Sequence, residues 1–358
     1  MRTLTVLAGL SAVIAAIPAP AQAQSSVSIT GIADAAVRTV ANQGLATVTS
    51  LVSGSNSTSR LVIRGVEDLG GGLSASFHLE HGIAFDTGLP TGGFWDRRST
   101  VSLAGRGWGE VRIGRDFVPS YTTWSRYDPF SYVGVAGSNN LVAASQVGPI
   151  RSAFGSNPNT TVRSSNAVQY WLPGNLGGLE GVVMGAADEG GTVATGQHKL
   201  LGLRLGWAGG PVNVSAAHTV SDNELTGANK FKDTALGGSL NLGFVRLNAA
   251  WRQFKQASAK QTNWMLAAVV PLGAGEIKAS AVQANMSGQV GAAAIGANDA
   301  TQLGLGYVHN LSKRSALYAT VARMDNEGTA AFVVPGGRAT LPGGRTSTGY
   351  EVGVRHSF

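Results

Sequence analysis

The last nine residues state the pattern that runs through the chain: Tyr350, Val352, Val354, His356 and Phe358 fall on one side of an extended strand, and Glu351, Gly353, Arg355 and Ser357 on the other. Strand side chains alternate with period two, so such a segment presents an apolar face and a polar one. The same parity sets Leu61 and Ile63 against Arg60 and Arg64. It sets Leu73, Ala75, Phe77 and Leu79 against Ser74, Ser76, His78 and Glu80, and Val245, Leu247 and Trp251 against Arg246, Asn248 and Arg252. Short glycine-rich turns punctuate the strands near positions 70, 107, 176, 209, 243 and 273, with a polar turn near 312. Their spacing is close to regular except for one doubled interval between 107 and 176, which predicts an array of hairpins with one enlarged connection.

Read from turn to turn, the chain contains sixteen strands, the first at 26–38 and the last at 347–358. Most are close to the 9 to 11 residues that a tilted strand needs to cross a bilayer. An open sheet in hydrocarbon would leave edge amides without partners, so the expected fold is all-β, a closed 16-stranded antiparallel transmembrane barrel. A barrel of about this size encloses an aqueous channel. The connections alternate between short turns and long loops (39–58, 118–162, 286–299 and 326–346), the asymmetry of outer-membrane barrels. A soluble β-sandwich would also alternate, but it would concentrate Leu, Ile and Phe between two sheets, and one such core seldom exceeds about 250 residues.

Composition narrows the setting. Residues 1–23 combine Arg2, an apolar run and the small-residue site Ala21-Gln22-Ala23, the form of a cleaved export signal, leaving residues 24–358 as one barrel domain. Cysteine is absent, so disulfides do not hold this exported chain. Of 27 basic residues 20 are arginine, and they are dispersed rather than gathered into the patch a nucleic-acid binder presents. Small anions and anionic lipid are the better partners.

Several segments resemble the trimeric general porins of Gram-negative outer membranes: SSVSITGIADA at 25–35, SRLVIRGVEDLGGGL at 59–73, RSSNAVQYWLP at 163–173, LSKRSALYATVA at 311–322 and the ending GYEVGVRHSF. The resemblance implies a homotrimer in the outer membrane and passive diffusion of small hydrophilic solutes and ions. It also implies a third external loop folded inward, which coincides with the enlarged connection 118–162. Phe358 is similar to the terminal residue that such proteins present to the barrel-assembly machinery, and lipopolysaccharide would surround the barrel. This loop lacks the PEFGG-like sequence of enteric members, and its only charges are Arg126, Asp128 and Arg151.

The candidate pore-lining residues are Arg38, Arg60, Arg64, Arg98, Arg163, Arg126, Asp128, Asp34 and Glu80. An arginine facing lipid at mid-bilayer costs roughly 2 to 4 kcal/mol, so the parity of Arg60, Arg64, Arg98 and Arg163 points them to the lumen. There they either form a ladder that draws anions or pair with Asp34, Glu67 or Glu80 as wall struts. Arg97, Arg115 and Arg323 break the parity and read as rim residues facing anionic lipid. Tyr121, Trp124, Tyr127, Phe130 and Tyr132 would pin the third loop to the wall. The six histidines are scattered, with no HExxH or GxSxG pattern, so neither catalysis nor a metal or other cofactor is indicated. The expected function is an anion-preferring diffusion channel. The alternatives are a channel specific for one anionic nutrient, an outer-membrane enzyme or an adhesin.

Overall fold

The structure is a computed structural model and describes residues 25–142, 147–157, 161–195, 198–338 and 341–358; the expected export signal lies outside them. One sheet of eighteen strands closes on itself. Two short pieces, Val48–Ser53 and Leu89–Pro90, belong to loops, and the other sixteen strands form the wall. In chain order these are β1 (Ser26–Asn42), β2 (Arg60–Gly70), β3 (Leu73–Ala84), β4 (Arg98–Gly105), β5 (Gly109–Phe117), β6 (Arg163–Trp171), β7 (Leu179–Ala186) and β8 (Lys199–Gly209). The second half is β9 (Val212–Asp222), β10 (Phe231–Asn241), β11 (Arg246–Gln256), β12 (Ala259–Leu272), β13 (Gly275–Ser287), β14 (Ala300–Asn310), β15 (Ser315–Asn326) and β16 (Ser347–Ser357).

Every pairing is antiparallel, and β1 closes the ring by serving two neighbours. Its first half pairs with β2, from Ser26 opposite Val66 to Ile32 opposite Arg60. Its second half pairs with β16, from Ile32 opposite Ser357 to Asn42 opposite Ser347. Phe358 completes the seam: its N–H donates to Gly31 O at 3.1 Å and its carbonyl accepts from Gly31 N at 3.0 Å. With no strand of the described wall left as an open edge, the wall can stand in hydrocarbon. The turn between β2 and β3 shows why glycine marks the short connections, since Gly70, Gly71 and Gly72 all take positive φ, a region other residues occupy only at a cost.

The two faces follow the predicted parity. Val27, Ile29, Val101, Leu203, Leu266, Leu303 and Val352 stand exposed on the outside. Ser102, Arg204, Asn248, Gln302 and Glu351 lie buried on the inside. No helix among the described residues is long and apolar enough to cross a membrane. The buried apolar cluster lies within the bore, where Trp124, Tyr127, Phe130, Phe154 and Phe332 gather with inward residues of the wall. Most of the loop side chains in that cluster come from the connection between β5 and β6, and Phe332 comes from the one between β15 and β16.

Candidate functional site: the inner wall and the loop across it

The connection from 118 to 162 carries two short helices, α1 (Pro119–Ser125) and α2 (Pro149–Phe154), and runs over inward side chains. Ser120 Oγ donates to Asp233 on β10 at 2.6 Å, and Tyr127 OH meets Asn213 Oδ1 and Ser215 Oγ on β9 at 2.8 and 2.9 Å. Asn248 on β11 donates to Tyr127 O, Gln261 on β12 to Leu141 O, and Gln302 on β14 to Ala136 O. Val135 N donates to Glu351 Oε1 on β16. Glycines make room: a Cβ at Gly237 would lie 2.2 Å from the Tyr127 ring, and one at Gly306 would lie 2.9 Å from Phe130. Tyr127, Trp124, Phe130 and Tyr132 are buried and Tyr121 is half-buried, so these aromatics pack the loop down as their clustering suggested.

The loop's anchors fall on β7 to β16, whereas the inward faces of β2 to β6 carry the densest charge. Arg97 Nε donates to Glu80 Oε1 at 2.5 Å, Arg60 Nε lies 3.6 Å from the same oxygen, and His78 Nε2 is 3.4 Å from Glu80 Oε2. One strand pair along, Arg112 reaches Glu110 at 3.0 Å and Asp116 at 2.7 Å, and Arg98 lies 3.5 Å from Asp116. Arg163 donates Nε to Arg97 O at 2.9 Å and lays its guanidinium 4.5 Å from the centre of the Phe117 ring. Arg64 sits between Ser28 and His78 in register, is exposed, and has no ion pair among the described residues. Six guanidinium groups (Arg60, Arg64, Arg97, Arg98, Arg112, Arg163) thus face four carboxylates (Glu80, Glu110, Asp116 and, toward the short turn, Asp68), six minus four leaving a formal charge of +2. Some of the arginines are thus wall struts, and the set remains positive.

Four expectations need correction. Arg97 joins the lumen cluster rather than the lipid rim, because it lies one residue outside β4 and reaches Glu80 from there. Asp34 keeps its inward parity but is buried beneath the first long loop, accepting from Ser55, Asn56 and Ser57 N–H groups and from Tyr318 OH, so it does not line open water. Arg38 is likewise covered, paired with Glu351 at 2.9 Å and donating to Ser55 Oγ. Asp128 is an internal tie of the third loop, accepting from the N–H groups of Phe130, Tyr132 and Ser138 and from Ser138 Oγ. Burial pushes its carboxyl up, against the pull of those donors.

Arg126, the remaining loop candidate, is exposed to the bore and pairs with Glu180 on β7, which also holds Arg204 at 2.7 Å. Arg115 is half-buried, donating to Asp96 O and Ser165 Oγ, and Arg323 is outward and paired with Asp325 at 2.9 Å. Residue type alone does not single out Arg112, Glu110 and Asp116, although Glu110 and Arg112 share the parity opposite Val111 and Ile113. Nor does it reveal the fully buried pair of Arg252 and Asp233, 2.7 Å apart, which holds the end of the loop through Thr161 O.

A closed sixteen-stranded wall with a hydrated, charged interior and an apolar exterior defines a membrane channel protein. The profile of the Gram-negative porin family matches residues 10–329, and the chain belongs to that family. It is 36% identical over 358 residues to outer membrane porin protein 32 of Delftia acidovorans, covering 94% of this chain and 95% of that one. It is 25% identical to an outer membrane porin protein of Bordetella pertussis, covering 86% and 84%. Among solved structures it resembles an anion-selective porin from Comamonas acidovorans, with a TM-score of 0.78, 33% identity, and 94% and 100% of the two chains covered. OmpT of Vibrio cholerae, at 13% identity and a TM-score of 0.63, shares the fold. The protein is a multi-pass outer-membrane porin, a water-filled barrel through which small hydrophilic solutes diffuse passively.

Proposed function

We propose that this porin prefers small anions and that the segment 118–162 sets the size of what passes. The carrying observation is the +2 inward face of β2 to β6, set opposite a loop whose anchors lie on the other strands. A guanidinium group keeps its charge at any physiological pH, so this field is permanent. Within a narrow water column between low-dielectric walls it lowers the energy of an anion and raises that of a cation. The similarity to a porin described as anion-selective supports the same preference. Diffusion needs no catalytic group, and the reading assigns none.

In this account residues 1–23 direct export, Phe358 is presented to the assembly machinery, and the functional unit is a homotrimer set among lipopolysaccharide. A trimeric form is described for the structurally similar OmpT. The test is the reversal potential of the purified protein in a planar bilayer under a potassium chloride gradient. Chloride over potassium is expected, and a cation preference at neutral pH would overturn the proposal.

A further inference from the structure

On the outside of the barrel, β10, β11 and β12 bring three lysines into one row. Lys232 lies directly opposite Lys255, and Lys255 directly opposite Lys260. Their strand neighbours Phe231, Asp233, Phe254, Gln256, Ala259 and Gln261 are buried inward, so all three lysines point outward. Like charges directly opposite across antiparallel strands destabilise a sheet, and here the arrangement occurs twice in succession. None of the three has an ion pair among the described residues. The outward acid at this rim, Asp222, is engaged by Lys230 at 3.7 Å.

The tiers beside the row give it meaning. Moving away from it toward the short turns, the next outward tier is Thr234, Gln253 and Thr262, uncharged and polar. Beyond that comes Leu236, Trp251 and Trp264, with the two indole rings 6.4 Å apart. Those rings border an apolar hollow of about 1180 Å³, floored by small residues such as Ala216, Gly238 and Ala249. Cation, polar and aromatic tiers thus follow one another over four residues of strand, roughly 13 Å. The connection from β11 to β12 is only Ala257-Ser258, so no long loop rises over the row, and a hollow of about 330 Å³ opens beside Lys230, Lys232 and Lys255.

We propose that this face docks an outer-leaflet lipid with a phosphorylated headgroup, the phosphates shared by Lys232, Lys255 and Lys260 and an acyl chain lying in the tryptophan-bordered hollow. The unpaired lysine row supplies charge complementarity to a polyanionic headgroup, and the apolar hollow below it fits the same molecule and not a free anion. The proposal rests on the outer-membrane placement of the barrel and is independent of the direction of ion selectivity.

The experiment is native mass spectrometry of the full protein in detergent, titrated with bis-phosphorylated lipid A, with its dephosphorylated form, or with inorganic phosphate as competitor. Wild type should retain the phosphorylated lipid, and the triple variant Lys232→Gln, Lys255→Gln, Lys260→Gln should bind it about a hundredfold more weakly, near 3 kcal/mol at 1.4 kcal/mol per tenfold. The triple arginine variant should bind as wild type does, and a Lys313→Gln, Arg314→Gln control at a short turn should change nothing. Equal retention by wild type and the glutamine variant overturns the proposal, as does equal retention of dephosphorylated lipid A by wild type. Displacement by millimolar inorganic phosphate would identify a free-anion site and overturn it too. Bilayer conductance of the glutamine variant should match wild type; a lost channel there would fault the channel reading instead.

Discussion

Arg64→Glu is the sharpest test of the positive wall, because Arg64 is exposed in the lumen and no ion pair ties it to the wall. The substitution changes the local charge by two units, taking the β2–β6 face from +2 to zero. An ion passing about 5 Å from that position in water feels about 0.8 kcal/mol per unit charge, and a Debye length near 10 Å at 0.1 M salt reduces this to about 0.5. Two units therefore cost an anion about 1 kcal/mol and favour a cation by a similar amount. The permeability ratio should move by about 2 kcal/mol, roughly thirtyfold toward cations. The assay is the reversal potential across a tenfold potassium chloride gradient, repeated at 1 M salt, where screening should shrink the effect. Arg323→Glu, on the outer face beside Asp325, serves as the control and should leave the ratio unchanged. A ratio within twofold of wild type for Arg64→Glu would refute the reasoning.

Gly237→Leu should force Tyr127 and its loop off the wall, because even a Cβ at that position would lie 2.2 Å from the ring; single-channel conductance should rise, while Gly238→Ala, on the outward parity, should leave it unchanged. Arg38→Met should lower barrel stability by about 3 to 5 kcal/mol by leaving Glu351 buried without its ion pair, and should not alter selectivity; the unfolding midpoint in denaturant reads the first and the reversal potential the second. Deleting Phe358 should reduce the amount of folded barrel in the outer membrane, measured by heat-modifiable gel mobility, with Phe358→Tyr retaining most of it. Normal assembly without the terminal residue would remove its proposed role.

The wall was legible because its physics is local. A strand between lipid and water must alternate, and hairpins need turn residues, so the sixteen strands, the short turns and the enlarged connection follow from reading along the chain. Facing was legible for the same reason: Arg60, Arg64 and Arg98 take the inward side that alternation assigns them, whereas a register shift between Gly114 and Asp116 interrupts the alternation beside Arg163. Cover was not. Parity says that Asp34 and Arg38 point inward, but only the tertiary fold shows the segment near Ser55 closing over them. Asp128 reads as a lone loop acid, and its four donors, three backbone N–H groups and the Ser138 hydroxyl, take positions that depend on the loop's own turns. Arg97 misled because alternation fails one residue beyond a strand end. The lysine row needed register, since Lys232, Lys255 and Lys260 are unremarkable in sequence and become neighbours only when β10, β11 and β12 are aligned.

The central claim is that successive residues of one wall meet lipid and water in turn, and the chain's lack of cysteine makes it directly measurable. Single cysteines placed at Ser28, Ile29, Ile63 and Arg64 in otherwise unchanged protein would be exposed in proteoliposomes to a charged, membrane-impermeant thiol reagent while conductance is recorded. The account predicts that cysteines at 28 and 64 react and alter the current, whereas those at 29 and 63 are silent to that reagent and react only with a lipid-soluble maleimide. Reaction of all four with the charged reagent, or the opposite alternation, would contradict it.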